Sequence, residues 1–376
     1  MSTQNPNPTG PDAAILLPPR REFSVGHEPI RVVLEQPTGF ARFLRWFPWI
    51  LLAFSLLANM GMMASYREYI NQDENIEEHL FSHDVLASDK VAIIEVSGVI
   101  VTGEGFVKHQ IDRVRHDDNV KAVVLRVDSP GGTITGSHLI YHRLKKLCQE
   151  KKIPLVVSMG SLAASGGYYV SMAVGINREL GVAEDAKVIF AEPTTTTGSI
   201  GVILPHYNVE GLMKEWNIEN DSVKSHPLKD MGSITRKMTD EERAKFQAYI
   251  DESFNRFKDV IVYGRPHFQK NRGDLDALAT GEIFTSRQAI ANRLVDAEGF
   301  LEDAVDAAIA LAKLSSDDVR VVRYKPPKTL IDVLGGTAES PSSRFDMSAL
   351  ANLSTPRAYY LYSWFPPITA ATAREK

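Results

Sequence analysis

VKAVVLRVDSPGGT, from Val120 to Thr133, decides the fold. Val120, Ala122, Val123, Val124, Leu125 and Val127 form an almost unbroken apolar run, as expected of a strand covered on both faces. Asp128-Ser-Pro-Gly-Gly-Thr133 ends that run with a sharp turn. Thr133 to Glu150 then carries Ile134, Leu139, Ile140, Leu144 and Leu147 at helical spacing. Upstream, VAIIEV (Val91 to Val96) predicts another strand and Phe106 to His116 a helix. Downstream, PLVVSM (Pro154 to Met159) and KVIFA (Lys187 to Ala191) predict two more strands. Strands separated by helical segments of this length imply parallel crossovers and an α/β domain, with its chemistry in loops at the strand C-termini. A helix from Asp240 to Tyr263 follows, led by the cap-like Thr239-Asp-Glu-Glu. Ala304 to Leu314 predicts another helix, and Val319 to Tyr324 a last edge strand. No internal repeat appears, so one catalytic unit is expected.

The whole chain has 376 residues, 44% hydrophobic and 24% charged. These values exclude collagen-like, wholly disordered and polytopic membrane classes. The 42 basic and 47 acidic residues give a charge of −5, too near balance for a nucleic-acid binder by bulk electrostatics. Cys148 is the single cysteine, which excludes intramolecular disulfides and a multi-cysteine zinc site. No motif calls for a cofactor or a metal.

Trp46 to Ser65 (WFPWILLAFSLLANMGMMAS) contains no charge and one strong polar break, Asn59. As a helix it covers roughly 30 Å, a bilayer core. Some 45 residues precede it and no good small-x-small cleavage site follows, which disfavours a cleaved signal peptide. Arg31, Arg42 and Arg45 precede the span. Outside it, Arg67 stands among Glu68, Asp73, Glu74, Glu77, Glu78, Asp84 and Asp89. The charge bias predicts a single-pass anchor in the inner (plasma) membrane, with a cytoplasmic N-terminus and a periplasmic or extracytoplasmic catalytic part. The expected divisions are 1–45, a flexible cytoplasmic tail; 46–65, the anchor; 66–88, an acidic linker or short helix; 89–325, the enzyme; and 326–376, an irregular tail. That last tail carries Tyr359, Tyr360, Tyr362, Trp364 and Phe365, costly to leave in water and expected to dock.

Three loops carry chemistry. In Asp128 to Thr133 the paired glycines uncover backbone amides that could receive an oxyanion, although taken alone an ordinary βα turn is the simpler reading. In GSLAASGGYY (Gly160 to Tyr169) Ser165 follows a strand among small residues, and the Gly166 amide could join that of Gly132. Close helix packing would produce a similar stretch. Ser161 competes but lacks small neighbours on both sides, and Ala163 stands where a G-x-S-x-G elbow has its first glycine. In KSHPLKDMG (Lys224 to Gly232) Lys224 and Lys229 are candidate bases, since desolvation can neutralise a lysine. His206 and His226 lie near these loops. His138 and His142 share a helix, where packing is a better account than metal ligation.

DSPGG, SMGSLAASGGYY, TGSIGV (Thr197 to Val202), KSHPLKDMGS, GEIFTSRQA (Gly281 to Ala289) and RLVD (Arg293 to Asp296) resemble the signal peptide peptidase A (protease IV) family, in order across Lys90 to Leu314. The resemblance implies a membrane-anchored serine endopeptidase of crotonase-like (ClpP/crotonase) fold, a spiral of repeated ββα units. By position it implies Ser165 as nucleophile, Lys229 as general base with Lys224 as fallback, and Ser199 orienting the lysine. Gly132 and Gly166 supply the oxyanion hole. It further implies a homo-oligomer completing the site at subunit interfaces, and remnant signal peptides or other membrane-associated peptides as substrates. Gly175 to Ala186 departs from the family pattern as an insertion. A catalytically silent membrane scaffold and acyl-CoA chemistry are the competing readings. The intact Ser165, Lys229 and Ser199 argue against the first, and the external location and A-A-S-G-G loop against the second.

Overall fold

The computed structural model describes residues 39–70, 76–326 and 358–361. Helix α1 (Gly39–Ile70) is followed by β1 (Glu77–His83), β2 (Lys90–Ser97), α2 (Gly105–His116), β3 (Val120–Ser129) and β4 (Gly131–Thr133). Then come α3 (Ile134–Lys151), β5 (Leu155–Ala164), α4 (Gly166–Ser171), α5 (Ile176–Glu179), β6 (Ile189–Ala191) and β7 (Thr196–Gly198). The next elements are α6 (Glu210–Glu215), α7 (Asp240–Gly264), α8 (His267–Lys270), α9 (Arg272–Leu278) and β8 (Ile283–Thr285). Last are α10 (Ser286–Ala291), β9 (Ala297–Glu298), α11 (Leu301–Leu311), β10 (Arg320–Lys325) and β11 (Tyr359–Leu361).

The chain separates into residues 1–65 and 66–376. In the first, Trp46–Met63 of α1 is long and apolar enough to cross a bilayer. Its large apolar side chains, among them Trp49, Phe54 and Leu57, are exposed.

In the second, the sheet order is β1-β10-β2-β3-β5-β6-β9, parallel except for β1. Alternation assigns the apolar runs to two layers. Ala92, Ile94, Val96, Val123, Leu125, Val127, Leu155 and Val157 belong to the core shared with α2, α3, α4 and α7. Val91, Ile93, Ala122, Val124 and Val156 pack with Ala304, Val305, Ala308 and Ile309 of α11. Burial on both faces is why these strands lack polar alternation.

Two expectations change. Glu77–His83, within the stretch read as a linker or short helix, is a strand paired antiparallel to β10. The strand expected at Val319 to Tyr324 is therefore interior, not an edge. The cause is ionic. Lys90 Nζ, on a residue only 7% exposed, bonds Glu78 at 2.9 Å and Asp117 at 2.8 Å. One carboxylate of the acidic stretch thus satisfies a buried ammonium, which a sequence count reads merely as a solvated charge.

Candidate active site

Ser165 stands between β5 and α4 with φ 55° and ψ −113°, and is 1% exposed. A non-glycine residue in that region is strained, and such strain concentrates where a side chain must be aimed. Its N–H donates to the Gly198 carbonyl at 2.8 Å, and its carbonyl accepts from Tyr169 N–H at 2.8 Å. The strand-to-helix turn is therefore elbow-like although Ala163 replaces the first glycine. The small residues after it have direct reasons. A Cβ on Gly167 would lie 2.7 Å from the Ser129 carbonyl oxygen, and one on Gly166 2.4 Å from Ser137 Oγ. Ser161, the competing serine, bonds Asp128 Oδ1 at 2.8 Å and lies on the exposed side.

The paired glycines form β4. Ser129 Oγ donates to Gly98 O and accepts from Gly131 N–H at 3.0 Å, which fixes the turn. Gly131 (φ +93°) needs its missing side chain: a Cβ there would come 2.5 Å from the Gly166 nitrogen. On one edge of β4, Ile100 N–H donates to Gly131 O and Thr133 N–H to Ile100 O, both at 2.8 Å. Backbone groups alternate along a strand, so the N–H and C=O of Gly132 face the other edge. Gly131 thus packs directly against Gly166, the residue after Ser165, and Gly132 follows it in β4.

Thr197 to Val202 wraps this turn from below. Thr197 Oγ1 donates to Ala163 O at 2.6 Å, and Gly198 supplies the carbonyl that holds Ser165. Ser199 has φ 49°, is buried, and donates its N–H to Glu282 O at 2.6 Å. The serine of T-G-S is consequently one residue from the carbonyl that holds Ser165.

Lys229 lies on a single 3₁₀ turn, Pro227–Asp230, and is exposed. Among the described residues no hydrogen bond joins its ammonium to Ser165. Lys224 pairs with Asp230, which also takes a forked bond from Arg236 (2.8 and 3.2 Å). Arg236, then Lys224, hold the Asp230 carboxyl well below the usual carboxylate range. Arg236 also bonds Glu242, whose carboxyl it holds down to about 2. The turn bearing Lys229 is thereby stapled to the start of α7, where Thr239 and Glu242 form a capping box. Of the histidines, His206 reaches Ser233 O at 3.3 Å, and His226 Nδ1 accepts from Leu228 N–H at 3.2 Å. His138 bonds the Tyr169 hydroxyl at 2.8 Å, and burial lowers its pKa, helped by Arg256 and His142.

Sequence reasoning missed what occupies the free edge of β4. β11 pairs with it antiparallel, Tyr359 opposite Thr133, Tyr360 opposite Gly132 and Leu361 opposite Gly131. Tyr360 is fully buried, 5.0 Å from the Tyr169 ring and 4.6 Å from Phe257 between centroids. Its hydroxyl donates to Ser253 O at 2.6 Å. The aromatic excess of the tail was legible, but not its place; Trp364 and Phe365 lie outside the described residues.

Comparisons with known proteins give the affiliation of the chain. Residues 148–315 match peptidase family S49. A Synechocystis chain named as a protease, slr0021, is 36% identical over 66% of this chain and 83% of its own length. An Enterococcus faecium chain named as a signal peptide peptidase SppA is 33% identical over 72% of this chain and 77% of its own. Protease 4 of Salmonella typhi is 34% identical over 65% of this chain, a match spanning 38% of the longer protein. The relatives and the strained serine turn together settle the affiliation: this chain belongs to the signal peptide peptidase A (protease IV) family, peptidase family S49, and is a serine peptidase.

Proposed function

We propose that the protein is a membrane-anchored endopeptidase in which Ser165 is the nucleophile and Lys229 the general base. One observation carries this reading: a strained serine, two glycine amides and an extended polypeptide strand meet at one point. The neutral lysine takes the Ser165 proton as Oγ attacks the peptide carbonyl. Gly132 and Gly166 N–H groups receive the resulting oxyanion, each donor contributing about 3 kcal/mol to lowering the barrier. The lysine then returns the proton to the leaving amine, and water, activated by the same lysine, releases the acyl group. Ser199 orients the lysine.

The Ser165 amide bonds Gly198, which favours Gly166 over Ser165 as the donor from this turn. Lys224 is engaged with Asp230, which favours Lys229 over Lys224. A lysine acts as a base where desolvation favours its neutral form, and Lys229 is exposed in a single chain. Completion of the dyad by an adjoining copy therefore suits the geometry, and a homo-oligomer is part of the proposal. So are a crotonase-like fold, an inner-membrane anchor at Trp46 to Ser65 with the enzyme on the outer side, and remnant signal peptides as substrates. The apolar helix supports the anchor, and the relative named as a signal peptide peptidase supports the substrate class. The test is labelling of the full chain with a serine-directed fluorophosphonate, followed by peptide mapping. Label on Ser165, lost in Ser165→Ala and reduced in Lys229→Ala, is expected; label elsewhere, or retained by Ser165→Ala, removes the assignment.

A further inference from the structure

β5 does not run straight to Ser165. It follows β3 in register as far as Val127 opposite Met159, and the next pair is Ser129 opposite Ala163. Asp128 alone therefore faces Gly160, Ser161 and Leu162, a bulge of three residues against one. At the same place β5 changes its other neighbour: Val157–Met159 pair with β6, and Leu162–Ala164 with β7. A bulge bends its strand, raises the local twist and re-aims the side chains beyond it. Ser165 is the first residue past this re-aimed end. Each bulged residue is held. Thr195 Oγ1 donates to the Gly160 carbonyl at 2.6 Å. Ser161 Oγ and the Leu162 N–H both donate to Asp128 Oδ1, at 2.8 and 3.0 Å. Asp128 is itself fixed, its carbonyl accepting from Gly98 N–H at 2.9 Å.

We propose, resting on the peptidase reading above, that Asp128 is a positioning residue whose Oδ1 clamps the bulge at 160–162 and so sets the direction in which Ser165 is presented. A bulge takes an amide out of the strand ladder, and that amide needs another acceptor. A carboxylate oxygen is a strong one, and here it takes the Leu162 amide and the Ser161 hydroxyl together. Gly160 leaves the room the bend requires: a Cβ there would lie 3.1 Å from Arg126 Nη2 and 3.2 Å from Asp128 Cβ. Asp128 acts through the bulge and not on the reacting atoms. Ser161 acquires a role as well, as one of the two donors to the clamp. Because both bonds end on a single oxygen, an amide oxygen in the same place can accept them, whereas a methyl group cannot.

The test labels the full chain, Asp128→Asn and Asp128→Ala with a fluorophosphonate over a range of concentrations. Asp128→Ala should lower the maximal labelling rate at Ser165 about tenfold and leave the half-saturating concentration unchanged, because a misaimed Oγ slows attack and not capture of the probe. Asp128→Asn should label at the parent rate. A folded Asp128→Ala protein with the parent's maximal rate overturns the proposal. So does an Asp128→Asn protein as slow as Asp128→Ala, since the acceptor oxygen would then not be what matters. If no form labels at Ser165, the peptidase reading fails instead, and hydrogen exchange at the Leu162 amide decides the clamp. Slow exchange in the parent and Asp128→Asn with faster exchange in Asp128→Ala keeps it, and equal exchange in all three removes it.

Discussion

The N–H of Ser165 donates to the carbonyl of Gly198 at 2.8 Å, so the turn that aims the proposed nucleophile hangs from the T-G-S loop. Gly198 holds that carbonyl in place with φ +85°, and a Cβ there would lie 2.5 Å from the Phe284 ring. Gly198→Ala should destabilise the protein by about 1–2 kcal/mol from the left-handed backbone alone. It should also slow Ser165 labelling more than tenfold. Thermal melting and labelling rate check the two effects, and labelling at the parent rate would show that the loop does not set the turn.

Arg236 joins Asp230, next to Lys229, to Glu242 at the head of α7. Forked guanidinium bonds to two carboxylates cannot be reproduced by an ammonium. Arg236→Lys should therefore lower kcat about tenfold with little change in KM, because a loosened turn misplaces the proposed base rather than the substrate. An unchanged kcat in a folded variant contradicts this role.

Lys90 is paired with Glu78 and Asp117, and Lys90→Met leaves both carboxylates without it. The expected loss is about 3 kcal/mol at neutral pH, read by urea melting. Burial raises the Asp117 pKa, but the bonds from Lys90 and the Asn119 amide outweigh it, and the net shift is downward from 3.8. A depressed carboxylate stabilises the fold above its unfolded pKa, and that stability is lost as pH falls through the folded value. Parent and variant should hence converge below pH 3.8 and differ most above it.

The Tyr360 hydroxyl meets the Ser253 carbonyl at 2.6 Å. Tyr360→Phe should destabilise the protein by about 1 kcal/mol, the net value of one buried hydrogen bond, read by urea melting. Tyr360→Ala should cost about 3–5 kcal/mol, because the space beside Tyr169 and Phe257 is left empty. Equal melting of parent and Tyr360→Ala would show that this docked strand adds nothing to the fold.

His138 rests in its neutral form against Tyr169, its pKa lowered below 6.5 chiefly by burial. The unfolded chain protonates first, so stability should be full above 6.5 and fall as acid approaches the folded pKa. His138→Gln should flatten that part of the pH–stability curve; an unchanged slope means another group governs it.

Much of this protein was legible in the chain. Apolar runs such as VAIIEV and VKAVVLRV determined doubly covered parallel strands, because an unbroken apolar strand has no stable place at a solvated face. The glycines at 131, 132, 166 and 167 marked close backbone approach, because only a missing Cβ permits it. Local spacing singled out Ser165, Gly132 and Gly166, and the family resemblance added Ser199, as the proposed site. Tertiary structure decided the rest. Glu78 reads as a solvent charge until it is placed against Lys90, and Tyr360 as a tail aromatic until β4 offers it an edge. The separation of exposed Lys229 from buried Ser165 is equally invisible along the chain. Pattern and spacing record what a residue needs locally; which distant partner meets that need is fixed only when the folded backbone brings the two together.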